Sequence, residues 1–328
     1  MKKRKHRREL LFVGVILILV LMMLYSGLRI LESTVLYREQ DQVDTFVSKT
    51  ITREKVDYFP RQDITTVLVM GIDKYGPVEK SDTYNNTGAS DLNMVLIFDE
   101  VNEVCNILHL NPDTMVEMPV LDIDGRPAGT CYRQLALAHT FGTGLSDSCE
   151  NVRKTVSDFL HGVEIDYYVA MHMDAIAILN DAVGGITVNV TEDFSSVDPA
   201  IGMGEVKLMG EHAIHYVRAR TETGDQKNIS RIQRQQKYLD GFIAAFREKQ
   251  SSDYEWIINA YEQAQPYMVT DCSANAISGM TDRFSGYRIN EVAIPEGQNV
   301  PGKEDFEFYA DTEKLDALIL RLFYAPKG

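Results

Sequence analysis

Four arginines lie within 17 residues of one another, and their side chains could bind an anion: Arg218, Arg220, Arg231 and Arg234. A guanidinium group offers a planar fork of donors that matches two phosphate oxygens at once. Arg231 and Arg234 stand at i and i+3, which puts them on one helical face. The four groups can therefore bracket a pyrophosphate, and Asp225 between them could orient an arginine or bind a metal ion.

The overall charge leaves an alternative for this cluster. Asp and Glu number 48 against 33 Lys and Arg, a net charge of −15. Surface ion pairs with these carboxylates would also account for the arginines. The acidic balance argues against a nucleic-acid partner, which requires a cationic surface. With 45% hydrophobic and 25% charged residues, the chain is neither disordered nor a polytopic membrane protein.

The N-terminus predicts a membrane anchor. Residues 10–28 carry no charge in 19 positions, and a helix of that length spans about 28 Å, close to the bilayer core. Six Lys and Arg residues lie in the first eight positions, so residues 1–9 are predicted to stay cytoplasmic and the C-terminal part to lie outside the cell. A cleaved signal peptide is the alternative, but Ser26-Gly27-Leu28 is a poor small-x-small exit site.

The exported part divides into a stalk and one domain. Residues 29–60 are polar and predict a partly helical stalk, and residues 61–328 form the extracellular domain. Apolar runs interleaved with helical patterns indicate an α/β layer fold, a central mixed sheet flanked by helices. The predicted strands are 64–71, 92–98, 104–110, 167–172 and 185–190, and the predicted helices are 132–141, 146–160, 173–183 and 229–249.

Four cysteines in an exported domain permit two disulfides. They are Cys105, Cys131, Cys149 and Cys272, with three possible connectivities and no zinc-like spacing. We favour Cys131 with Cys149, because these two residues flank one predicted helix.

Several segments together resemble one protein family. The first two arginines end the segment Gly210-Glu-His-Ala-Ile-His-Tyr-Val-Arg-Ala-Arg220, and the last one begins Arg234-Gln-Gln236. Together these segments form an RxR…D…RxxRQQ block. Further similar blocks are Val67-Leu-Val-Met-Gly-Ile-Asp73, Ala89-Ser-Asp-Leu-Asn-Met-Val-Leu-Ile97, Gly162-Val-Glu-Ile-Asp-Tyr-Tyr-Val169 and Val183-Gly-Gly-Ile-Thr-Val-Asn-Val190. From about residue 63 to 250 the chain resembles the LytR–CpsA–Psr family of cell-wall glycopolymer transferases.

The resemblance implies a reaction. Family members bind a polyprenyl-pyrophosphate-linked glycan, with the lipid in an apolar cavity of the sheet, and transfer the glycan phosphate to a peptidoglycan hydroxyl with magnesium at the diphosphate. Asp73 and Asp91 would be the metal-side carboxylates, and Asp91 would also orient the acceptor hydroxyl. Both could instead be turn or cap residues at strand ends, and Ser81-Asp82-Thr83 spells the family's Ser-Asp-Thr more literally but lacks a following strand. The implied phosphate ligands are Arg218, Arg220, Arg231, Arg234 and Arg133.

Two departures from the family pattern leave catalysis open. Where the family reads Pro-Arg-Asp-Thr, this chain reads Asn111-Pro-Asp-Thr114, so Pro112 replaces a phosphate-binding arginine. The family's Lys-x-Asn becomes Arg133-Gln-Leu135, which retains a charge but loses an amide. The chain is thus either an active magnesium-assisted transferase or a non-catalytic polyprenyl-pyrophosphate-binding or regulatory protein. A scaffold with merely ion-paired arginines is the third possibility.

Other catalytic classes lack their motifs. The chain has no Walker loop, GxSxG elbow or GxGxxG fingerprint, and its histidines show no HxxxH or HExxH spacing. His212 and His215, at i and i+3, are interpreted as packing or surface residues.

Overall fold

A six-stranded mixed β-sheet forms the centre of the computed structural model, which describes residues 50–53, 55–83, 85–219, 228–250, 255–272, 276, 279–280, 283–284, 286–302 and 306–326. The strands are β1 (Ile51–Arg53), β2 (Val56–Pro60), β3 (Ile64–Ile72), β4 (Ser90–Asp99), β5 (Val104–Leu110), β6 (Met115–Leu121), β7 (Pro127–Gln134), β8 (Tyr167–His172), β9 (Ile186–Val190), β10 (Gly204–Leu208), β11 (Met268–Thr270), β12 (Arg288–Ala293), β13 (Gly297–Pro301), β14 (Phe306–Ala310) and β15 (Tyr324–Pro326). The helices are α1 (Ser146–Phe159), α2 (Met173–Ala182), α3 (Glu211–Arg218), α4 (Asn228–Gln250), α5 (Glu255–Ala264) and α6 (Thr312–Phe323), and two 3-10 helices are Leu135–Thr140 and Gln265–Tyr267.

The central sheet has the strand order β11-β8-β3-β4-β5-β12. Strand β3 pairs parallel to β8 and antiparallel to β4, and β5 pairs antiparallel to β4 and parallel to β12. The predicted mixed sheet is therefore confirmed. Strand β12 comes from the C-terminal part of the chain and completes one edge, so the sheet joins segments that lie between residues 64 and 293.

Alternating residues of β3 face opposite sides of this sheet, as the period of two requires. Val67 and Val69 belong to a core that also contains buried residues of α3 and α4. Leu68 and Met70 belong to a second core, shared with α1 and α6. Helices thus cover both faces, which explains why β3 and β5 are apolar at successive positions.

The predicted helix 132–141 is wrong. Residues 132–134 end β7, which pairs with β6 in an antiparallel hairpin, and only Leu135–Thr140 turns, as a 3-10 helix. The apolar residues that suggested an α-helix, Leu135 and Ala138, are buried in this short turn. Strand β7 is largely exposed on both faces and therefore lacks the alternation that identifies a strand.

At the end of the predicted stalk, Ile51–Arg53 and Val56–Pro60 form strands rather than helix. Strands β1 and β2 pair with each other, and β2 pairs with the C-terminal strand β15. The predicted anchor at 10–28 and the stalk up to residue 49 lie outside the described residues. None of the helices that the structure describes is long and apolar enough to cross a membrane.

The predicted disulfides are not present, since all four cysteines are free thiols in the structure. Cys131 lies on β7, and Cys149 lies in α1, where its Sγ is 3.8 Å from Nε2 of His139. The argument for this pair assumed a helix between the two cysteines, and that helix does not form. Burial raises the pKa of Cys105 and of Cys272 to about 12.

Candidate anion-binding site at the mouth of an apolar cavity

An apolar cavity lies between the central sheet and helices α2 and α4. Its walls come from β3, β4 and β8 on one side and from the two helices on the other. Representative wall residues are Val69, Leu96, Val169, Ile176, Leu179 and Phe242. The charged residues Asp91, Arg218 and Arg231 also line it, together with the ionisable side chains of His109 and Tyr238. This combination suits a ligand with a hydrocarbon part and an anionic part.

Arg231 is a buried cation at this cavity. It lies near the start of α4, its side chain is 1% exposed, and its Nη1 donates to Oδ2 of Asp91 at 2.8 Å. Asp91 stands at the start of β4 and is 15% exposed. A buried guanidinium needs a counter-charge, because an unpaired buried ion costs several kcal/mol. Asp91 supplies it while remaining in the cavity wall.

Arg218 makes a second arginine–carboxylate pair. It ends α3, where a cation interacts favourably with the helix dipole, and its Nη2 is 2.6 Å from Oδ1 of Asp73. Its Nη1 donates to the Tyr75 hydroxyl at 3.1 Å. Burial opposes the charged form, but Asp73 and Tyr75 outweigh it and raise the pKa of Arg218 above its usual value. Because its side chain is 37% exposed, Arg218 can reach a ligand at the surface of the protein.

Arg234 is also buried but points elsewhere. It is absent from the cavity wall, and its guanidinium donates to the Glu192 carboxylate and to the backbone carbonyls of Tyr216 and Ala219. The structure therefore uses Arg234 to hold the backbone on either side of Arg218. It acts on the site by positioning another arginine.

Arg133 lies apart from the cluster. It is exposed on β7, opposite Val116, and borders a different surface pocket with Cys131 and Phe141. The remaining two predicted site residues, Arg220 and Asp225, lie outside the described residues. Of the predicted set, the structure brings Asp91, Arg218 and Arg231 to the cavity wall and pairs Asp73 with Arg218.

His109 is a cavity residue without an assigned role in the sequence analysis. It is 1% exposed, and neither ring nitrogen has a hydrogen-bond partner among the described residues. Burial, and then the nearby Arg231 cation, lower the pKa of His109 from 6.5 to about 4, so the ring is neutral near pH 7. The alternation of β5 could have placed His109 at the cavity from the sequence. Cys105 and Ile107 share its face of the strand and belong to the core behind the cavity.

The model of the LytR_cpsA_psr family matches residues 29–319. The chain belongs to this family.

Individual relatives agree with the family. One is the polyisoprenyl-teichoic acid–peptidoglycan teichoic acid transferase TagU of Bacillus subtilis strain 168, 30% identical over 201 residues, which are 60% of this chain and 57% of that protein. TagU of Enterococcus faecalis is 28% identical over 267 residues, 79% of this chain and 78% of that protein. The crystal structure of B. subtilis TagV has a TM-score of 0.58 at 23% identity, covering 80% of this chain and 96% of that one, which shows a shared fold. The match to TagU of B. subtilis spans less than two thirds of that protein.

Pro112 is the departure from the LytR–CpsA–Psr pattern that bears on this site. The residue is buried after β5, and its carbonyl accepts from the amide of Ala136 at 2.9 Å. Proline contributes no side-chain donor, so this position supports the 3-10 helix through its backbone alone.

Magnesium is the ion that the family resemblance implies, and Asp73 and Asp91 are its candidate ligands. The amide of Asp73 donates to the carbonyl of Ala89 at 2.8 Å, so the end of β3 lies beside the start of β4 and both carboxylates stand at the same end of the sheet. Carboxylate oxygens are the ligands that magnesium prefers, and one or two suffice when phosphate oxygens and water complete the shell. The donor set therefore fits the ion.

Proposed function

We propose that this chain transfers a glycopolymer phosphate from a polyprenyl-pyrophosphate carrier to a hydroxyl group of peptidoglycan at the outer face of a bacterial membrane. The observation that carries the proposal is the placement of Arg218 and Arg231 on the wall of an apolar cavity. Such a carrier combines a diphosphate, which arginines bind bidentately, with a hydrocarbon chain, which the cavity can bury. Both TagU relatives are polyisoprenyl-teichoic acid–peptidoglycan teichoic acid transferases, which supports a polyprenyl-linked donor and a peptidoglycan acceptor.

The two arginines would act on the diphosphate by position and charge. The acceptor hydroxyl oxygen attacks the phosphorus that bears the glycan and forms a phosphodiester. The phosphoanhydride bond breaks, and polyprenyl phosphate leaves. Asp91 orients the hydroxyl and receives its proton, while Arg218 and Arg231 donate hydrogen bonds to the non-bridging oxygens. Phosphoryl transfer depends mainly on such positioning and on stabilisation of the spread negative charge.

Magnesium would be held by Asp73 and Asp91. When bound, the ion supplies further neutralisation of phosphate charge. Tyr75 contributes indirectly, because its hydroxyl accepts from Arg218 while its ring lies under the guanidinium, 5.6 Å from centroid to Cζ. These contacts restrict the arginine to the orientation in which it meets Asp73.

The topology forms part of the proposal. Residues 1–9 would be cytoplasmic, residues 10–28 would span the membrane once, and the domain would be extracellular. Protease added to intact cells should degrade the domain and leave the N-terminus protected. Protection of the domain as well would overturn this orientation.

The activity is tested with the full-length protein, a polyprenyl-pyrophosphate-linked glycan, a peptidoglycan acceptor and magnesium, by measuring released polyprenyl phosphate. Arg218→Gln and Arg231→Gln should each lower the rate about 10²- to 10³-fold, as loss of a transition-state donor does elsewhere. Arg133→Gln is the matched control, because it removes an arginine away from the cavity. Equal losses in all three variants would contradict the assignment.

A second candidate function is binding of the same carrier without transfer. Pro112 favours it, because the position lacks the donor that the family pattern provides. In that case wild-type protein binds the lipid but releases no polyprenyl phosphate, and Pro112→Arg creates or strongly raises turnover. An ordinary rate in wild type excludes this alternative.

A further inference from the structure

Three side chains outside the cavity wall converge on one point. Nδ1 of His212 is 2.6 Å from Oδ2 of Asp198, and Nδ1 of His215 is 2.7 Å from the same oxygen. One donor atom from each residue can be chosen so that all three lie within 4.8 Å of one another. Two imidazoles and a carboxylate are thus gathered on one side of α3.

The local fold explains this convergence. Positions i and i+3 of α3 place both histidines on one helical face. Asp198 is fixed by a turn in which its amide donates to the Phe194 carbonyl at 2.7 Å and its Oδ1 accepts from the Ala200 amide at 3.1 Å. The ring of Phe194 stacks on Tyr216 of the same helix, with centroids 5.5 Å apart. The turn and α3 are therefore held together, and Oδ2 is left facing the two histidines.

We propose that Asp198, His212 and His215 form a binding site for a divalent first-row transition metal ion of the zinc class. Two histidines with one carboxylate are a donor set that zinc and its neighbours favour, and they leave a position for water. Magnesium prefers oxygen ligands, so this site is chemically distinct from the carboxylates near Arg218.

The present distances are compatible with the ion. Zinc bonds of about 2.0–2.1 Å in tetrahedral geometry separate ligand atoms by about 3.3 Å, so each Nδ1 must withdraw from Oδ2 by about 0.6 Å. The His212 and His215 side chains are 46% and 36% exposed, which gives them room to move and gives the ion a path from solvent. The Asp198 side chain is 7% exposed and provides the fixed ligand.

A metal here would brace the helix that presents Arg218. The ion would link the turn at Asp198 to α3, which ends at Arg218, and the carbonyl of His215 already accepts from the amide of Ala219 at 3.2 Å. We therefore assign the site a structural role, separate from contact with the phosphate ligand.

The test is a zinc titration of full-length protein purified without a polyhistidine tag, combined with elemental analysis and thermal melting. Wild type should bind one zinc ion per chain and melt at a higher temperature with zinc. His212→Gln and His215→Gln should each weaken binding by at least about 100-fold, since even changes outside the ligand shell cost about 10- to 100-fold. His161→Gln is the matched control, because Nδ1 of His161 lies 3.6 Å from Asp316 and away from the cluster.

Each outcome decides the assignment. Weaker binding confined to the cluster variants, together with a cobalt spectrum typical of nitrogen and oxygen ligands, supports it. Failure of wild type to bind stoichiometric zinc, or equal binding by wild type and both cluster variants, overturns it and leaves a hydrogen-bonded Asp–His–His group. Both variants alter partly exposed side chains, and an unchanged melting temperature without zinc verifies that they fold. Asp198→Asn offers an independent loss of the buried ligand.

Discussion

Replacing His109 with leucine should stabilise the protein near neutral pH while weakening its action on the carrier. The ring is 1% exposed, and both nitrogens lack a hydrogen-bond partner among the described residues. A buried polar group without a partner costs about 1–3 kcal/mol, and leucine removes that cost at comparable volume. The ring also lines the cavity proposed for the carrier, and a ring nitrogen that hydrogen-bonds the anionic head group contributes about 1.5–3 kcal/mol, which leucine removes. Transfer or binding should then fall about 10- to 100-fold.

The stability of the protein should also fall in acid because of His109. Its pKa of about 4 in the folded state lies below the usual 6.5, so the unfolded chain takes up the proton more readily as the pH falls. The contribution of neutral His109 to the free energy of unfolding is fully present well above pH 6.5 and is lost progressively toward pH 4. At pH 5 this single group should lower the free energy of unfolding by about 2 kcal/mol. His109→Leu should abolish that part of the acid sensitivity in urea denaturation at pH 7 and pH 5.

His139 provides a contrast. Burial lowers its pKa to about 4 as well, but its Nδ1 lies 2.8 Å from the Gly88 carbonyl. His139→Leu should therefore destabilise the protein at pH 7, because it leaves that carbonyl unpaired. If His109→Leu also destabilises the protein and keeps the full acid dependence, the reasoning about an unsatisfied cavity histidine is refuted.

Three further substitutions separate the roles of the arginines. Arg231→Met should lower the free energy of unfolding by about 3 kcal/mol in chemical denaturation, because it removes the buried ion pair with Asp91. Combining Arg231→Met with Asp91→Leu should recover much of that loss, and no recovery would contradict the pairing. Arg218→Gln should change the free energy of unfolding by less than about 1 kcal/mol, since the pair with Asp73 is partly exposed. The same variant should weaken pyrophosphate binding in calorimetry, and an unchanged affinity would support a scaffold role. Arg234→Met should destabilise the protein by about 2 kcal/mol, because it removes the contacts with Glu192 and two backbone carbonyls. The same variant should lower the transfer rate without changing its pH profile. An unaltered melting curve would count against this positioning role.

Periodicity predicted the elements that are buried. Strands β3 and β5 and helices α1, α2 and α4 lie where apolar patterns placed them, because both faces of the sheet are covered. Strand β7 was missed because it is exposed on both sides and is defined only by its hairpin partner β6. Strands β1 and β2 were missed for a related reason, since their order comes from pairing with each other and with the far end of the chain.

The site was harder to predict than the sheet, because its contacts join distant positions. Arg231 and Asp91 are 140 residues apart, and nothing local to either residue indicates the other. Spacing on α4 puts Arg231 and Arg234 on a similar face. Side chains three positions apart on a helix nevertheless point in directions that differ by about 60°. That difference sends one guanidinium to the cavity wall and the other to Glu192. Motif spacing therefore identifies a segment but does not distinguish a ligand contact from a support.

The charges at the cavity bear on how a diphosphate can be attracted at all. Each of the pairs Arg218–Asp73 and Arg231–Asp91 sums to zero, and His109 is neutral near pH 7. Among the residues that the structure describes at the cavity, this set offers directed donors but no net positive charge. For these groups, an anionic head group either displaces a carboxylate from its arginine or arrives with a counter-charge. A divalent cation on Asp73 and Asp91 would make the set net positive and would leave both arginines free to turn toward the phosphates. Pyrophosphate affinity should consequently rise steeply with magnesium, and Asp73→Asn, which removes one negative charge, should reduce that dependence.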